Sequence, residues 1–574
     1  MASVSGKREG PRAAEEADEE GVKRVRVDPP QELSGEIPIP TADEAMIDVD
    51  QTGAMPSTSS SGTSPASVSA SAPSDGGVKR GRSGEAMDEE EQPAVRARLS
   101  AMIASLHGVD VAEDDEATNC QGNWFKDDWM SSWASEPILD PKMVEAAKRD
   151  ELSRFARMNV YRVVTRESME NDADGKMISV KWVVTNKGTE SQPKAKCRLV
   201  AREFDTGDKR GELFAGTPGL MAMRSVISRA MTRCASGAAR SIMVADVKTA
   251  FLYGDARRSL YIELPPEDPM SKTGQYVGKL NRAMYGTRDA PMIWQDHLRQ
   301  TLLALGFKES VTHAGVFEHA ERDILLCVHV DDLLCAGERK NLEWLTRELR
   351  NKYEIETLLL GADDDMEKQA TYLGRTLEWQ AEGLGMRPDS KHARQLLRDL
   401  GMENSRSIST PLCTAEAKEA DRQDQPDMPA DLARRHRAAV ARIVYLAQDR
   451  LDLGVAAVEL AKTMARPKEG DDARLKRVAR YLRGQPEYVQ WYPLQDETDQ
   501  IILTTDADWA TCKETRRSNS GGTLQLGHHF IAAWSRVQPR VALSSGEAEL
   551  YAGVRGLTQM AGFLNLMREF RGSQ

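Results

Sequence analysis

The sequence predicts an α+β protein, a mixed sheet with helices behind it, preceded by a long acidic segment. Three observations carry that expectation. From Pro141 onward, apolar runs of strand length alternate loosely with amphipathic stretches of helix length. Two of the apolar runs carry carboxylates where a buried strand should stay neutral: SIMVADVKTAF with Asp246, and ILLCVHVDDLLCAG with Asp331 and Asp332. The charge is also unevenly divided. Residues 1–140 hold 28 acidic and 12 basic residues, a net of −16, whereas 141–574 hold 61 acidic and 65 basic, a net of +4.

Residues 1–135 are poor in long aliphatic side chains and include the low-complexity run PSTSSSGTSPASVSASAPSDGG (56–77). Such a composition cannot bury enough surface to offset the entropy of ordering, so a disordered acidic linker is expected there. Its two short basic clusters, VKRVR (22–26) and VKRGR (78–82), read as solvated charge, with a nuclear-import address as the alternative. PKMVEAAKRDELSRFARMNVYRVV then reads as a helix running into a strand. ISVKWVVTNKG and AKCRLVAREF follow as a strand pair, and SIMVADVKTAFLYGD as a strand ending in a turn at Gly254. APMIWQDHLRQTLLALGF is a helix with Ile293, Leu298, Leu302 and Leu305 on or near one face, and NLEWLTRELRNKY is another. Residues 430–485 are mostly helical, with a basic stripe of Lys476, Arg480 and Arg483. Strands return in DQIILTTDADW, GGTLQLG and HHFIAAWS, and a last helix begins near Ser545.

Composition excludes several classes. No run of 18 apolar residues exists, and MASVSGKREG lacks the apolar core of a signal peptide, so a soluble intracellular protein of the cytoplasm or nucleus is expected, with no membrane partner. Seven scattered cysteines with no C-x-x-C pair argue against a disulfide framework and a zinc module. The mildly basic remainder permits contact with nucleic acid.

Burying an unpaired carboxylate costs several kcal/mol, roughly, and a divalent cation is the usual offset. Neighbours on a strand point to opposite faces, so only one of Asp331 and Asp332 can share a face with a carboxylate on the next strand. The bland alternative is an exposed hairpin turn, where Asp is common. Asp246, at the end of another apolar run, favours a shared site, in which two carboxylates could hold a pair of Mg²⁺ ions about 3.5–4 Å apart.

The phrases VKWVVTNKG, KCRLVAREF, DVKTAFLYGD, YIELPP, YGTRDAPMIW, LLALGF, VHVDDLL, TYLGRTLEW, STPL, VARIVYLA, RVARYLRG, TDADWA, RRSNSGG and ALSSGEAELYA occur in one order. Residues 141–574 on that basis resemble the reverse transcriptase and ribonuclease H part of a copia-type LTR retrotransposon polyprotein. The resemblance implies a right-hand polymerase: fingers and palm over 141–385, a mainly helical thumb and connection over 386–495, and a partial ribonuclease H-like domain over 496–574. It implies RNA-directed DNA polymerase activity with Mg²⁺, or Mn²⁺ as the alternative, on an RNA template, an RNA or DNA primer and deoxynucleoside triphosphates.

Carried over by motif, Asp246 and Asp331 would be metal ligands, with Asp332 beside them in the catalytic doublet. Phe251 would stand against a ribose 2′-hydroxyl, and Lys196, Arg198 and Arg202 would hold triphosphate. Asp506 and Glu549 would be the metal-binding carboxylates of the ribonuclease H region, with Glu549 favoured over Glu547 by register. The chain departs from the pattern at His329, where the family has Tyr, and at Asp289, where it commonly has Gln. It also stops after the Glu549 helix, so an incomplete nuclease is expected. A decayed or co-opted remnant that binds nucleic acid without polymerising is the alternative reading.

Overall fold

The computed structural model describes residues 24–26 and 139–571, apart from 190–191, 205–215, 235–236, 238, 413–424 and 513–514. The expected disordered linker lies outside the described residues, with one exception. Within VKRVR, Arg24–Arg26 form a short strand, β1, on the edge of the last sheet, so that part of the expectation is corrected.

The chain proper opens with a helix, α1 (Pro141–Arg157), started by the Asp140 carboxylate on the Lys142 amide and by Pro141 in its first turn. β2 (Tyr161–Thr165), a short helix α2 (Arg166–Glu170) and β3 (Lys176–Ile178) follow. β4 (Val180–Asn186) and β5 (Ala195–Ala201) then form the expected hairpin, with Asn186 opposite Ala195. In β5 the buried residues Cys197, Leu199 and Ala201 alternate with Lys196 and Arg198, so both cations share the opposite face. After α3 (Leu220–Ala230) comes β6 (Ser241–Val247), then a 3₁₀ turn over Ala250–Tyr253. β7 (Leu260–Ile262) and β8 (Tyr276–Leu280) join β2 and β3 in a four-stranded sheet.

The central sheet has six strands in the order β13-β6-β12-β11-β10-β9. Its members after β6 are β9 (Lys308–Glu309), β10 (Val316–His319), β11 (Ile324–His329), β12 (Asp332–Gly337) and β13 (Ile355–Leu360). Helices α4 (Ala290–Ala304) and α5 (Arg339–Arg350) cover one face. In α5 the buried Leu342, Leu345, Thr346 and Leu349 recur at helical spacing, which is why this sequence folds as an amphipathic cover. In α4, Ile293, Trp294, Leu298 and Leu302 are buried, and Leu305 lies just past the helix end. The other face packs on α3 and on the next sheet.

That next sheet corrects an expected boundary. β14 (Gln369–Tyr372), β15 (Arg375–Gln380) and β16 (Gly383–Arg387) are joined by β17 (Gln490–Pro493), so a division at 385/386 would cut through β16. Between β16 and β17 lie the helices α6 (Ser390–Asp399), α7 (Ala430–Leu446), α8 (Gly454–Ala461) and α9 (Asp471–Gly484), which share one apolar core. The helical segment is thus an excursion from a sheet. Its basic stripe is spent on structure: Arg480 Nε donates to the Arg406 carbonyl at 2.8 Å, Arg483 Nε to the Glu403 carbonyl at 2.6 Å, and Lys476 pairs with Asp472.

β18 (Ile501–Ala507), β19 (Asn519–Leu526) and β20 (His529–Val537) form the last sheet, with α10 (Ser545–Arg571) against β18 and β19. No helix among the described residues is long and apolar enough to cross a membrane.

Candidate active site

β11 and β12 are joined by a two-residue turn, Val330–Asp331, with His329 opposite Asp332. Val330 has φ 60°, which a β-branched residue rarely adopts. Such strain persists only where surroundings over-determine it, and here they do. Trp294 of α4 donates its indole N–H to the Val330 carbonyl at 2.6 Å, and the Val247 amide donates to the Asp331 carbonyl at 3.0 Å. The turn is therefore tied both to the covering helix and to the end of β6.

The register places Asp332 of β12 directly opposite Asp246 of β6, and Asp246 opposite Glu356 of β13. Three carboxylates thus lie in a row across adjacent strands, an arrangement that repels unless cations intervene. Glu356 is answered by Lys248 Nζ at 2.7 Å, which holds its carboxyl below the usual range. Asp246 is exposed, and Asp331 and Asp332 are half-buried. The alternation argument does not govern Asp331, because it sits in the turn and not on the strand.

The two members of the doublet act on different neighbours. Asp331 is among the charges acting on Tyr285, whose hydroxyl is pushed up first by burial, while Arg198 draws it down. Asp332 is among those acting on Tyr372, also raised first by burial, on the side of β14. Tyr285 packs on Phe251, ring centroids 5.4 Å apart, and the Arg198 guanidinium lies over its ring at 5.5 Å. The Lys196 ammonium is drawn down by lost solvation, then by Arg198 and Lys187, and is held up by Asp246. So Phe251 and Arg198 pack on Tyr285, Asp331 acts on its hydroxyl, and Asp246 acts on Lys196. Arg202 is placed differently, its guanidinium over the Phe204 ring at 5.3 Å.

Sequence reasoning missed four participants. Tyr285 and Trp294 both lie in YGTRDAPMIW, where they read as ordinary apolar positions, and Val330 carries no mark of a strained turn. Glu151 of α1 is 2% exposed, bonded to Arg154 at 2.8 Å, and acts on Tyr285; burial is the main reason that its carboxyl is raised. Asp289, one of the departures from the family pattern, has its carboxylate held by Arg258 Nε at 2.7 Å.

Oxygen donors of this kind suit Mg²⁺, which takes few carboxylates and completes its shell with water or phosphate. Among the described residues no group of three or more His, Cys, Asp or Glu side chains stands close enough to hold an ion. Water or substrate phosphate would complete the shell of an ion held by two carboxylates.

In the last sheet, Asp506 of β18 is exposed and opposite Gly521. A Cβ on Gly556 of α10 would touch Leu503 and Thr505, so the odd positions of β18 face α10 and Asp506 faces away from it. That other face opens on a cavity of about 600 Å³, lined by Asp506, Gly521 and Ser535 from the sheet and by Arg224 and Val444 from the helices. Gln538 Nε2 donates to both Ser520 Oγ and the Ala548 carbonyl, which puts the first turn of α10, with Glu549, at the end of the sheet where β18 finishes. Asp506 and Glu549 therefore share an end of the sheet, while strand alternation directs Asp506 away from the helix that carries Glu549. Glu547 serves a capping box, accepting from the Leu543 amide and the Tyr551 hydroxyl while its own amide donates to Ser544 Oγ. Asp508 holds the following loop through Asn519 and Thr511.

Comparison with known proteins bears on the first of these two regions. The reverse transcriptase (RNA-dependent DNA polymerase) family matches residues 158–414. The retrovirus-related Pol polyprotein from transposon RE1 of Arabidopsis thaliana is 28% identical over 400 residues, covering 68% of this chain and 26% of the relative. The corresponding polyprotein from transposon TNT 1-94 of Nicotiana tabacum is 24% identical over 450 residues, covering 74% and 31%. The chain spans about a quarter to a third of the length of these relatives. A solved foamy viral protease-reverse transcriptase in complex with double-stranded DNA is a loose likeness, with TM-score 0.41 and 10% identity over 75% of this chain and 62% of that one. Residues 158–414 are thus similar to the reverse transcriptase (RNA-dependent DNA polymerase) family, and much of the chain is similar to transposon Pol polyproteins.

Proposed function

We propose that the chain is an RNA-directed DNA polymerase that adds deoxynucleotides to a primer 3′-hydroxyl, with fingers and palm formed by the segment from α1 through β13. The observation that carries this reading is the bond that ties the Asp331 turn to the Asp246 strand end, with Lys196 and Arg198 sharing one face of β5. Lys196 and Arg198 hold the triphosphate, for which ammonium and guanidinium groups are the right chemistry. Phe251, braced by Tyr285, fills the space that a ribose 2′-hydroxyl would need. Trp294 fixes the turn so that the Asp331 carboxylate keeps one position through the reaction.

Asp246 and Asp331 are the residues that would hold divalent metal, Mg²⁺ by donor type. When bound, such ions activate the 3′-hydroxyl and stabilise the leaving pyrophosphate. The segment from α6 through α9 serves as thumb and connection. The region from β18 to α10 is ribonuclease H-like by its motifs, but Asp506 faces away from the helix of Glu549, so no shared site and no nuclease activity is assigned to it.

Primer extension tests the reading. On a poly(rA)/oligo(dT) template with dTTP and Mg²⁺, the wild-type protein extends the primer and Asp331→Asn does not. If neither extends it while the folded protein still binds the duplex, the chain is a binding relic and the polymerase reading is wrong.

A further inference from the structure

Arg258, just ahead of β7, sits between two acids from different parts of the fold. Its NH1 and NH2 donate to the two Glu203 oxygens at 2.8 and 2.9 Å, and its Nε donates to Asp289 at 2.7 Å. Glu203, two residues beyond β5, also accepts from the Arg288 amide at 2.9 Å and from Lys176 Nζ at 3.0 Å. The Glu203 and Asp289 side chains are 1% and 6% exposed, and Arg258 is 21% exposed. Burial acts to raise the Glu203 carboxyl, but its bonds to Arg258, the Arg288 amide and Lys176 bring it down to about 2. Two carboxylates and two cations balance, with both carboxylates buried and Lys176 at the solvent edge, so the cluster is a satisfied joint.

What the joint connects is the significant point. Glu203 continues β5, the strand with Lys196 and Arg198. Asp289 immediately precedes α4, the helix whose Trp294 holds the Asp331 turn. Between them the Ala201 amide donates to the Tyr285 carbonyl at 2.8 Å. Gly286, at φ 86°, lies so close to the Ala201 carbonyl that any Cβ there would collide with it. The segment 285–289 is thereby pressed against the end of β5, and the Arg258 fork locks it there.

We propose that Arg258 is a positioning residue, holding the cationic face of β5 at a fixed distance from the Asp246 and Asp331 carboxylates and so setting the affinity for incoming deoxynucleoside triphosphate. The proposal rests on the polymerase reading for its substrate, but the joint itself is a property of the fold. Asp289 then has a stated partner, the Arg258 guanidinium, which neutralises it.

The test uses the full chain with Arg258→Gln and Arg258→Lys. Arg258→Gln raises the KM for dTTP about tenfold with kcat within about twofold, while Lys, which keeps the charge but not the fork, raises it about threefold. Backbone hydrogen exchange gives a second reading that needs no turnover. In Arg258→Gln the Ala201 and Val247 amides, which report the β5 and Asp331-turn contacts, exchange faster, while those of β18–β20 do not change. Faster exchange at Arg288 alone, or an unchanged KM in an active protein, overturns the proposal. If the wild-type protein does not extend a primer, the polymerase reading fails by itself and the exchange pattern decides the joint. Should Arg258→Gln not fold, Arg258→Lys carries both measurements.

Discussion

Asp246 on β6 stands directly opposite Asp332 on β12, and the turn that carries Asp331 is bonded back to the residue after Asp246. One strand end therefore presents a repelling pair and a neighbouring third carboxylate. Asp331→Asn and Asp246→Asn should each lower primer extension by at least about a hundredfold, the scale of several kcal/mol of lost transition-state stabilisation. Asp332→Asn should instead stabilise the fold by roughly 0.5 kcal/mol, since directly opposed like charges are relieved. Denaturant unfolding beside steady-state kinetics separates the two effects.

Val330→Gly should raise stability by about 1 kcal/mol through release of the positive-φ strain, less what a freer unfolded chain takes back. The same change should lower kcat, because the Asp331 turn gains freedom. Urea midpoints and single-turnover rates on the same preparation test both signs. A loss of stability would mean that the Val330 side chain contributes more packing than its backbone costs.

Phe251 is 8% exposed and packed on Tyr285. Phe251→Val should open space for a 2′-hydroxyl and narrow the preference for dTTP over UTP by about tenfold or more. An unchanged ratio of kcat/KM values would make Phe251 a core residue only.

Glu318 on β10 has its carboxyl pushed up to about 7, by burial first, against Arg229, with Asp323 adding to the rise. A group raised on folding contributes stability that is full below its unfolded value and is lost as pH rises through the folded one. Stability should therefore fall between about pH 4.5 and 7 for this group. Glu318→Gln should flatten that part of the profile and be the more stable protein at pH 8. Thermal unfolding from pH 4.5 to 8 measures it, and parallel profiles for the two proteins would rule the effect out.

Several elements were legible because local pattern and tertiary burial agree. The hairpin β4–β5, the amphipathic α5 and the last three strands show their periodicity in the sequence, and the structure keeps it. Asp246 and the Asp331–Asp332 pair could be singled out because charge inside an apolar run is itself a signal. The β14–β17 sheet was not legible as a unit, since β17 returns about 100 residues after β16 and pairing over that separation leaves no local trace. Nor could the roles of Arg202 and Asp289 be read from residue type. One turned onto Phe204 and the other onto Arg258, through contacts made by residues distant in sequence.

The sequence by itself determined the residue types of the site, the order of strands and helices, and the separation of an acidic front from a mildly basic remainder. These are properties of composition and of periods of two and 3.6 residues, which local sterics fix. Only the tertiary structure decided that Asp332 faces Asp246 while Asp331 occupies a strained turn, that Arg198 lies over the Tyr285 ring, and that Asp506 faces away from the helix of Glu549. Register, turn geometry and the neutralisation of buried charge depend on which distant segments meet, and that is set by packing of the whole chain.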